Sequence, residues 1–537
     1  MKRLIVLGGA LLLSASTLAQ VSFQQLLHPD SEPQNWLSYS RTLDNQRYSP
    51  LAQITSGNVN KLKLQWVWQA RSLEKFETTA LVVNGVLYTV QAPNDVVALD
   101  AVTGRIFWTF PYAPAPSRTC CGRVNRGLAI LGDTLYMGTV DAHLLALDAK
   151  TGQKLWDVQV ADPAQQYSIT MPPTIIKDKV IIGTAGGDLG IRAFIAAYDA
   201  KTGKQLWKFY TIPAPGEAGN ETWSGDSWQT GGASVWNAGA YDADANLVYF
   251  GTGNPAPDWD GRTRLGDNLY SDSVLALDAD TGKLKWHYQF TPHDELDYDS
   301  TQAPVLVDTL WQNKPRKLML WANRNGVMYV LDRITGEFLL GKPYVEVNWM
   351  NGFDDKGRPQ RTPGIVPTPQ GTLTRPHVHG ATNWAPPAYS PQTGLFYVAH
   401  WEHSGIIAIE GKFPQGVGIN QRQTTMGDTT LEPFFNNDDE ARGMIAAYDP
   451  HTLNRKWEYN LGNITWGGVL ATAGGLVFGG GKDGYFVALD ANSGKLLWKM
   501  PLGGQVNNGP MTYSVNGKQY VAVAAGAALF VFAIDKE

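Results

Sequence analysis

"ALDAKTGQKLW", residues 146–156, is the stretch on which the fold turns. An apolar strand runs up to Asp148, an Asp-x-x-Thr-Gly turn reverses the chain, and the next strand carries Trp156. Glycine at the last turn position supplies the positive φ that such a turn often needs. The pattern recurs along the chain with the pairs Asp100/Trp108, Asp148/Trp156, Asp199/Trp207, Asp278/Trp286, Asp449/Trp457 and Asp490/Trp498, and the spacing is the same in each. "VLDRITGEFLL" (330–340) is a seventh copy in which Leu340 replaces the tryptophan, and "AYSPQTGLFYV" (388–398) reads as a decayed eighth. One such hairpin cannot bury both faces, whereas stacked copies can. Repeats of roughly 40–55 residues, each a four-stranded sheet, predict an all-β fold: an eight-bladed β-propeller with Trp-containing blade repeats.

Length alone would suggest several domains. The 56 glycines, 31 prolines, 19 tryptophans and 22 tyrosines read instead as many short strands and turns, so residues 20–537 are expected to form a single propeller domain. The repeat interval stretches between Asp199 and Asp278 and between Asp332 and Asp449. Long loops on a rigid scaffold usually carry function, and the segments 341–383 and 401–443 are expected to shape a mouth. A net charge of −5 gives no reason to expect nucleic-acid binding.

The first residues, "MKRLIVLGGALLLSASTLAQ", have a basic start, a short apolar run and small residues up to Ala19. This pattern predicts a signal peptide over 1–19 and export to the periplasm, and no later segment is long and apolar enough to span a membrane. Both cysteines are adjacent, at Cys120 and Cys121. Neighbouring Cα atoms lie about 3.8 Å apart, below the separation a relaxed disulfide prefers, and a bond between them would cross-link nothing distant. The pair is therefore either two reduced thiols or a strained, rigid ring placed for a ligand, and an oxidising compartment favours the ring.

Four further stretches, "GTAGGDLGIRAF" (183–194), "GGASVWNAGAYDADANLVYFGTGNPAP" (231–257), "TPHDELDYDS" (291–300) and "NRNGVMYVLDR" (323–333), accompany the cysteine pair and "VNRG" (124–127). Together they resemble the quinoprotein alcohol dehydrogenases, which use pyrroloquinoline quinone (PQQ). That resemblance implies a planar quinone in the central channel, between the ring formed by Cys120 and Cys121 and the indole of Trp236. It also implies polar contacts to the quinone from Glu77, Arg126, Thr170, Ser234, Arg324, Asn383 and Trp466, with Gly186 and Gly187 approaching a carboxylate through their backbone. The family holds one metal ion beside the quinone. The matching positions here are Asp188, Asn254, Asp297 and Asp299, with Asp188 standing where the family usually has Glu. Asp297 matches the catalytic base. Asp299 matches the extra acid of the lanthanide-type members, so a lanthanide is favoured over calcium.

The chain contains no Cys-x-x-Cys-His, so a separate soluble cytochrome c is the expected electron acceptor for an alcohol substrate. No G-x-G-x-x-G opens a βαβ unit, and nicotinamide is not expected. The histidines of "HVHG" (His377, His379) and "HWEH" (His400, His403) specify no complete zinc set and are read, with Trp384 and Trp401, as loops over the mouth. Two other readings stand beside this one: a propeller quinoprotein acting on sugars or polyols, and a cofactor-free propeller that scaffolds protein assembly.

Overall fold

The computed structural model describes residues 21–407 and 441–535. The expected leader and most of the segment 401–443 lie outside the described residues. Eight sheets of four or five strands form the blades. Blade one comprises Leu81–Val83, Val86–Gln91, Asp95–Asp100 and Ile106–Phe110, and blade two comprises Ala129–Leu131, Thr134–Gly138, His143–Asp148 and Lys154–Gln159. Blades three to seven repeat this antiparallel meander, beginning with the strands Thr174–Ile176, Ala240–Asp242, Val305–Trp311, Ala388–Ser390 and Leu470–Thr472. Blade eight joins Met511–Val515, Lys518–Ala525 and Ala528–Ala533 to Lys63–Gln69, a strand from the other end of the chain. The described residues hold one short α-helix, Phe23–Leu27, started by a capping box at Ser22. None of their helices is long and apolar enough to cross a membrane.

The repeat has a physical cause that reaches beyond its own hairpin. In the turn, Asp148 Oδ1 accepts from the backbone of Lys150 and Thr151 and from the Thr151 hydroxyl, at 3.0, 2.8 and 2.9 Å. The glycine that follows is the docking surface for the preceding blade. A Cβ on Gly152 would lie 2.6 Å from the Trp108 ring, and Trp108 Nε1 donates to the Ala149 carbonyl at 3.2 Å. Trp156 meets Gly203 in the same way, Trp207 meets Gly282, Trp286 meets Gly336 and Trp457 meets Gly494. Each of these blades therefore lays an indole flat on a turn that can carry no side chain. Ring closure uses the same contact: Trp66, on the N-terminal strand of blade eight, covers Gly104 of blade one and donates to the Ala101 carbonyl at 3.3 Å.

Seven copies of the turn thus serve blades one to seven. The eighth copy expected at 388–398 is not one of them. Ala388–Ser390 and Leu395–Glu402 are the first and second strands of blade six, a different hairpin from the one that carries the repeat. Blade eight has no copy because its outer strand arrives from the start of the chain and no turn joins it to its neighbour.

A second N-terminal segment bridges the innermost strands of several blades. The carbonyls of Leu43, Asp44, Gln46 and Arg47 accept from the backbone of Tyr241, Leu306, Tyr389 and Ala471, on the innermost strands of blades four to seven. The fully buried Arg47 guanidinium donates to the carbonyls of Gly509 and Pro510 at 2.6 and 2.9 Å, adding blade eight. Five blades are thereby tied to one strap.

Because Trp66 closes the ring, Trp66→Ala is expected to lower stability by about 3–5 kcal/mol. Chemical denaturation should show this as a lowered midpoint, while truncating the 93% exposed Leu73 should leave the midpoint unchanged.

Candidate active site

In each of blades one to seven the segment leading into the innermost strand carries a residue singled out from the sequence. Glu77 precedes Leu81–Val83, Arg126 precedes Ala129–Leu131, and Thr170 precedes Thr174–Ile176. Ser234 and Trp236, then Asp297 and Asp299, then Asn383, then Trp466 occupy the matching places in blades four to seven. First and second strands are antiparallel, so the loops between second and third strands open at the same end. Those loops hold Gly186, Gly187 and Asp188 in blade three, Asn254 in blade four and Arg324 in blade five. Residues far apart in sequence are thus delivered to one end of the ring.

Arg324 is the electrostatic centre. Its Nη1 pairs with Asp299 Oδ2 at 2.5 Å and its Nη2 with Asp297 Oδ2 at 2.7 Å, while Nε and Nη2 also donate to the Val378 carbonyl. The loop that offers Asp297 is shaped by Asp294, whose oxygens accept from the backbone of Leu296 and Tyr298 at 2.9 and 2.7 Å. Asp297 itself lies at φ +59°, a left-handed conformation a non-glycine residue holds only where its surroundings impose it. Burial pushes the Asp299 carboxyl up to about 6 against the opposing pull of Arg324, and Asp188 adds to the rise. Burial likewise raises Asp297, opposed by Arg324 and reinforced by Asp299, Asp258 and Asp188.

Asn254 is fixed beside this pair, its backbone N–H donating to Asp299 Oδ1 at 3.0 Å. The contact is possible because Gly253 has no side chain: a Cβ there would collide with the same oxygen. Gly187 plays a similar part, since a Cβ would lie 2.8 Å from Ser234 Oγ. A Cβ on Gly186, at φ +115°, would strike the Gln166 carbonyl.

The neighbouring polar group is built on Arg126. Its Nη2 pairs with Glu77 Oε2 at 2.9 Å, and its Nη1 donates to Thr170 Oγ1 and the Trp236 carbonyl at 2.9 and 3.1 Å. Its guanidinium lies 4.7 Å from the Trp236 ring centre and 5.1 Å from that of Trp384. Glu77, expected as a separate polar contact, is therefore matched to Arg126, and burial still raises its carboxyl. Asn383 Oδ1 accepts from the Trp384 backbone at 2.9 Å, and Trp466 stands against Trp401 and His379 at 5.1 and 5.5 Å. Cys120 and Cys121 face each other as thiols with their sulfurs 2.7 Å apart. The contact with Cys121 and burial push the Cys120 thiol up, and the charges of Asp188 and Asp258 add to the rise, which puts the pair beside the acids.

Two acids escaped the sequence reading. Asp258 and Asp272 are fully buried, and none of their four carboxylate oxygens has a hydrogen-bond partner. In sequence both resemble turn acids, and only "NPAPD", four residues on from Asn254, hints at the first. Among the described residues no three acids, histidines or cysteines stand together at ligating distances. The carboxylates repel one another, and Arg324 takes two of them. The histidines divide. His377 rings against His379 and His403 at 4.8 and 4.4 Å, near Trp466. His400 is not at the mouth: it is a core residue, fully buried and bonded to the Tyr448 hydroxyl at 2.8 Å. Trp401, also read as a mouth residue, is fully buried as well.

Residues 36–349 and 439–521 match the family model described as the glucose/ethanol/alcohol dehydrogenase β-propeller domain, PQQ. The chain belongs to the PQQ-dependent alcohol dehydrogenases. It is 39% identical over 553 residues to the quinohemoprotein alcohol dehydrogenase ADH-IIG of Pseudomonas putida, covering 97% of this chain and 76% of that one. Among solved structures, the quinohemoprotein alcohol dehydrogenase from Comamonas testosteroni is similar with a TM-score of 0.90 at 35% identity, covering 98% of this chain and 84% of that one. A europium-containing methanol dehydrogenase is similar with a TM-score of 0.87 at 33% identity, covering 95% and 100% respectively. The chain is thus an oxidoreductase of the quinoprotein class, which sets aside the cofactor-free scaffold. For such an enzyme the fit at this end of the ring is good. The glycine-lined approach at Gly186 and Gly187, the indole of Trp236 and the buried guanidinium of Arg126 suit a flat polyanion, and the unpartnered acid Asp258 suits a hard cation.

Gly253→Ala would drive a methyl group into Asp299 Oδ1. On the order of a hundredfold loss of kcat is expected from misplacing that carboxylate, with the thermal midpoint little changed; steady-state kinetics and a melting curve check both.

Proposed function

We propose that this quinoprotein oxidises primary alcohols to aldehydes in the periplasm, after removal of residues 1–19, and passes electrons to a separate soluble cytochrome c. The observation that carries the reading is the pairing of Asp297 and Asp299 with one buried guanidinium beside Asn254 and Trp236. PQQ would lie against Trp236 on one face and against the Cys120–Cys121 pair, oxidised to a ring, on the other. Arg126, Thr170, Ser234, Asn383, Trp466 and the backbone at Gly186 and Gly187 would hold its edge, with Glu77 balancing Arg126. Asp188, Asn254, Asp297 and Asp299 would hold one metal ion. Bound there, the quinone supplies the hydride acceptor and the cation supplies Lewis-acid polarisation.

The chain's own residues do the rest. Arg324 holds Asp297 through Oδ2, which leaves Oδ1 to take the alcohol proton. The Asp297 side chain is 16% exposed and that of Asp299 is 8%, so Asp297 is the more open of the two to a substrate. Asp299 accepts from the Asn254 backbone and from Arg324, and so acts as the strut between ligand loop and base. A lanthanide is the favoured ion. The acid at Asp299 adds negative charge that a trivalent ion needs, and the likeness to a europium-containing methanol dehydrogenase supports the choice.

Asp297→Asn is expected to lower kcat roughly 10²–10⁴-fold while PQQ still binds, as read from its absorbance in the reconstituted chain; loss of PQQ binding would contradict the role of base. Reconstitution with PQQ and either lanthanum or calcium, assayed with a panel of primary alcohols, should give higher turnover with lanthanum. Asp299→Ala should shift that preference toward calcium, and sugars or polyols should be poorer substrates.

A further inference from the structure

Asp258 stands in the same blade-four loop as Asn254, which ends at Ser273. Its side chain is fully buried, and neither carboxylate oxygen meets a donor within hydrogen-bonding geometry. A dry, unpartnered carboxylate is costly unless it is neutralised or paired. The nearest cation on its own loop, Arg264, is committed elsewhere. It donates to the carbonyls of Pro257, Asp258 and Asp294 and to the Asn268 side chain, and it makes no bond to the Asp258 carboxylate. The groups that share its surroundings come from three blades. Asp188 and Asp299 are the acids that bear on Asp258, Arg264 and the Asn254 side chain oppose them, and the charge of Asp258 is felt at Cys120 and Asp297. The side chain therefore stands between the Arg264 loop and the acids of the site, within the influence of Asn254.

We propose that Asp258 is a fifth protein ligand of the cation, an assignment that rests on the function proposed above. Asp188 is one methylene shorter than Glu, and a carboxylate from the next blade's loop makes up the reach that Asp188 lacks. Counting Asp258, the proposed ligand set holds four carboxylates, of which Arg324 pairs with two, Asp297 and Asp299. A set so rich in carboxylate suits a trivalent ion better than a divalent one.

The test uses the full chain reconstituted with PQQ. Europium(III) is bound, its affinity is measured by competition with a chelator, and its inner-sphere waters are counted from luminescence lifetimes in H₂O and D₂O. Asp258→Asn and Asp258→Ser should each weaken europium binding on the order of 10–100-fold and add at least one bound water, whereas Asp299→Asn should weaken binding without Asp258 being touched. If both Asp258 variants bind europium as tightly as the wild type with the same water count, while Asp299→Asn weakens binding, Asp258 is a buried neutral acid and the proposal falls alone. If neither Asp258 nor Asp299 substitution alters binding, the metal site itself falls with it. Should the asparagine variant fail to fold, the serine variant and the wild-type water count still decide: with roughly nine positions on europium(III), more than four waters on the wild-type ion would leave too few for five protein ligands and would overturn the proposal.

Discussion

Like charges crowded into a dry pocket are the constraint around which this molecule is organised. Asp297 and Asp299 could not share their corner of the ring without Arg324, whose forked guanidinium engages one oxygen of each and has its remaining donors on a backbone carbonyl. That arrangement fixes two side chains from one loop against a third from the next, and it makes the backbone around them inflexible. Gly253 and Gly380 lie where any side chain would strike Asp299 or Arg324. Asp294 bridges the turn that presents Asp297. The pocket is accordingly stiff before any ligand arrives, which is what catalysis by positioning and electrostatics requires.

The propeller supplies that stiffness by repetition. Every blade but the fifth and seventh hands an indole to a glycine turn on its neighbour, so the outer rim is a chain of nearly identical contacts. The inner rim is left to vary. Loops leading into the innermost strands differ from blade to blade in length and composition, and each contributes one or two side chains to the common end. Scaffold and chemistry thus draw on opposite ends of the same sheets, and changes at one need not disturb the other.

How much of this was legible in the sequence follows from the range of each contact. The aspartate-turn hairpin repeats along the chain, so blades one to seven could be read directly. Blade eight could not, because its fourth strand lies more than 440 residues from its third and only pairing reveals it. The hairpin at 388–398 misled because its Thr-Gly turn copies the repeat while joining a different pair of strands. Around the site, positions inside recognisable motifs came together at one end of the ring. Asp258 and Asp272 did not show themselves, since an aspartate in a loop looks the same in sequence whether it is solvated or walled in. His400 erred in the other direction: a cluster of aromatic residues near a long insertion suggested a rim, and the second strand of blade six carries His400 into the core, while Trp401, one residue on, is buried against Trp466.

The strap from Leu43 to Arg47 has a consequence for assembly. It is bonded to the innermost strands of blades four to seven and, through Arg47, to the segment that leads into blade eight. Every one of those partners comes later in the chain than the strap itself. The segment that ties these blades to one another is therefore satisfied only once they have formed, so the order in which blades are made is not the order in which they are locked together.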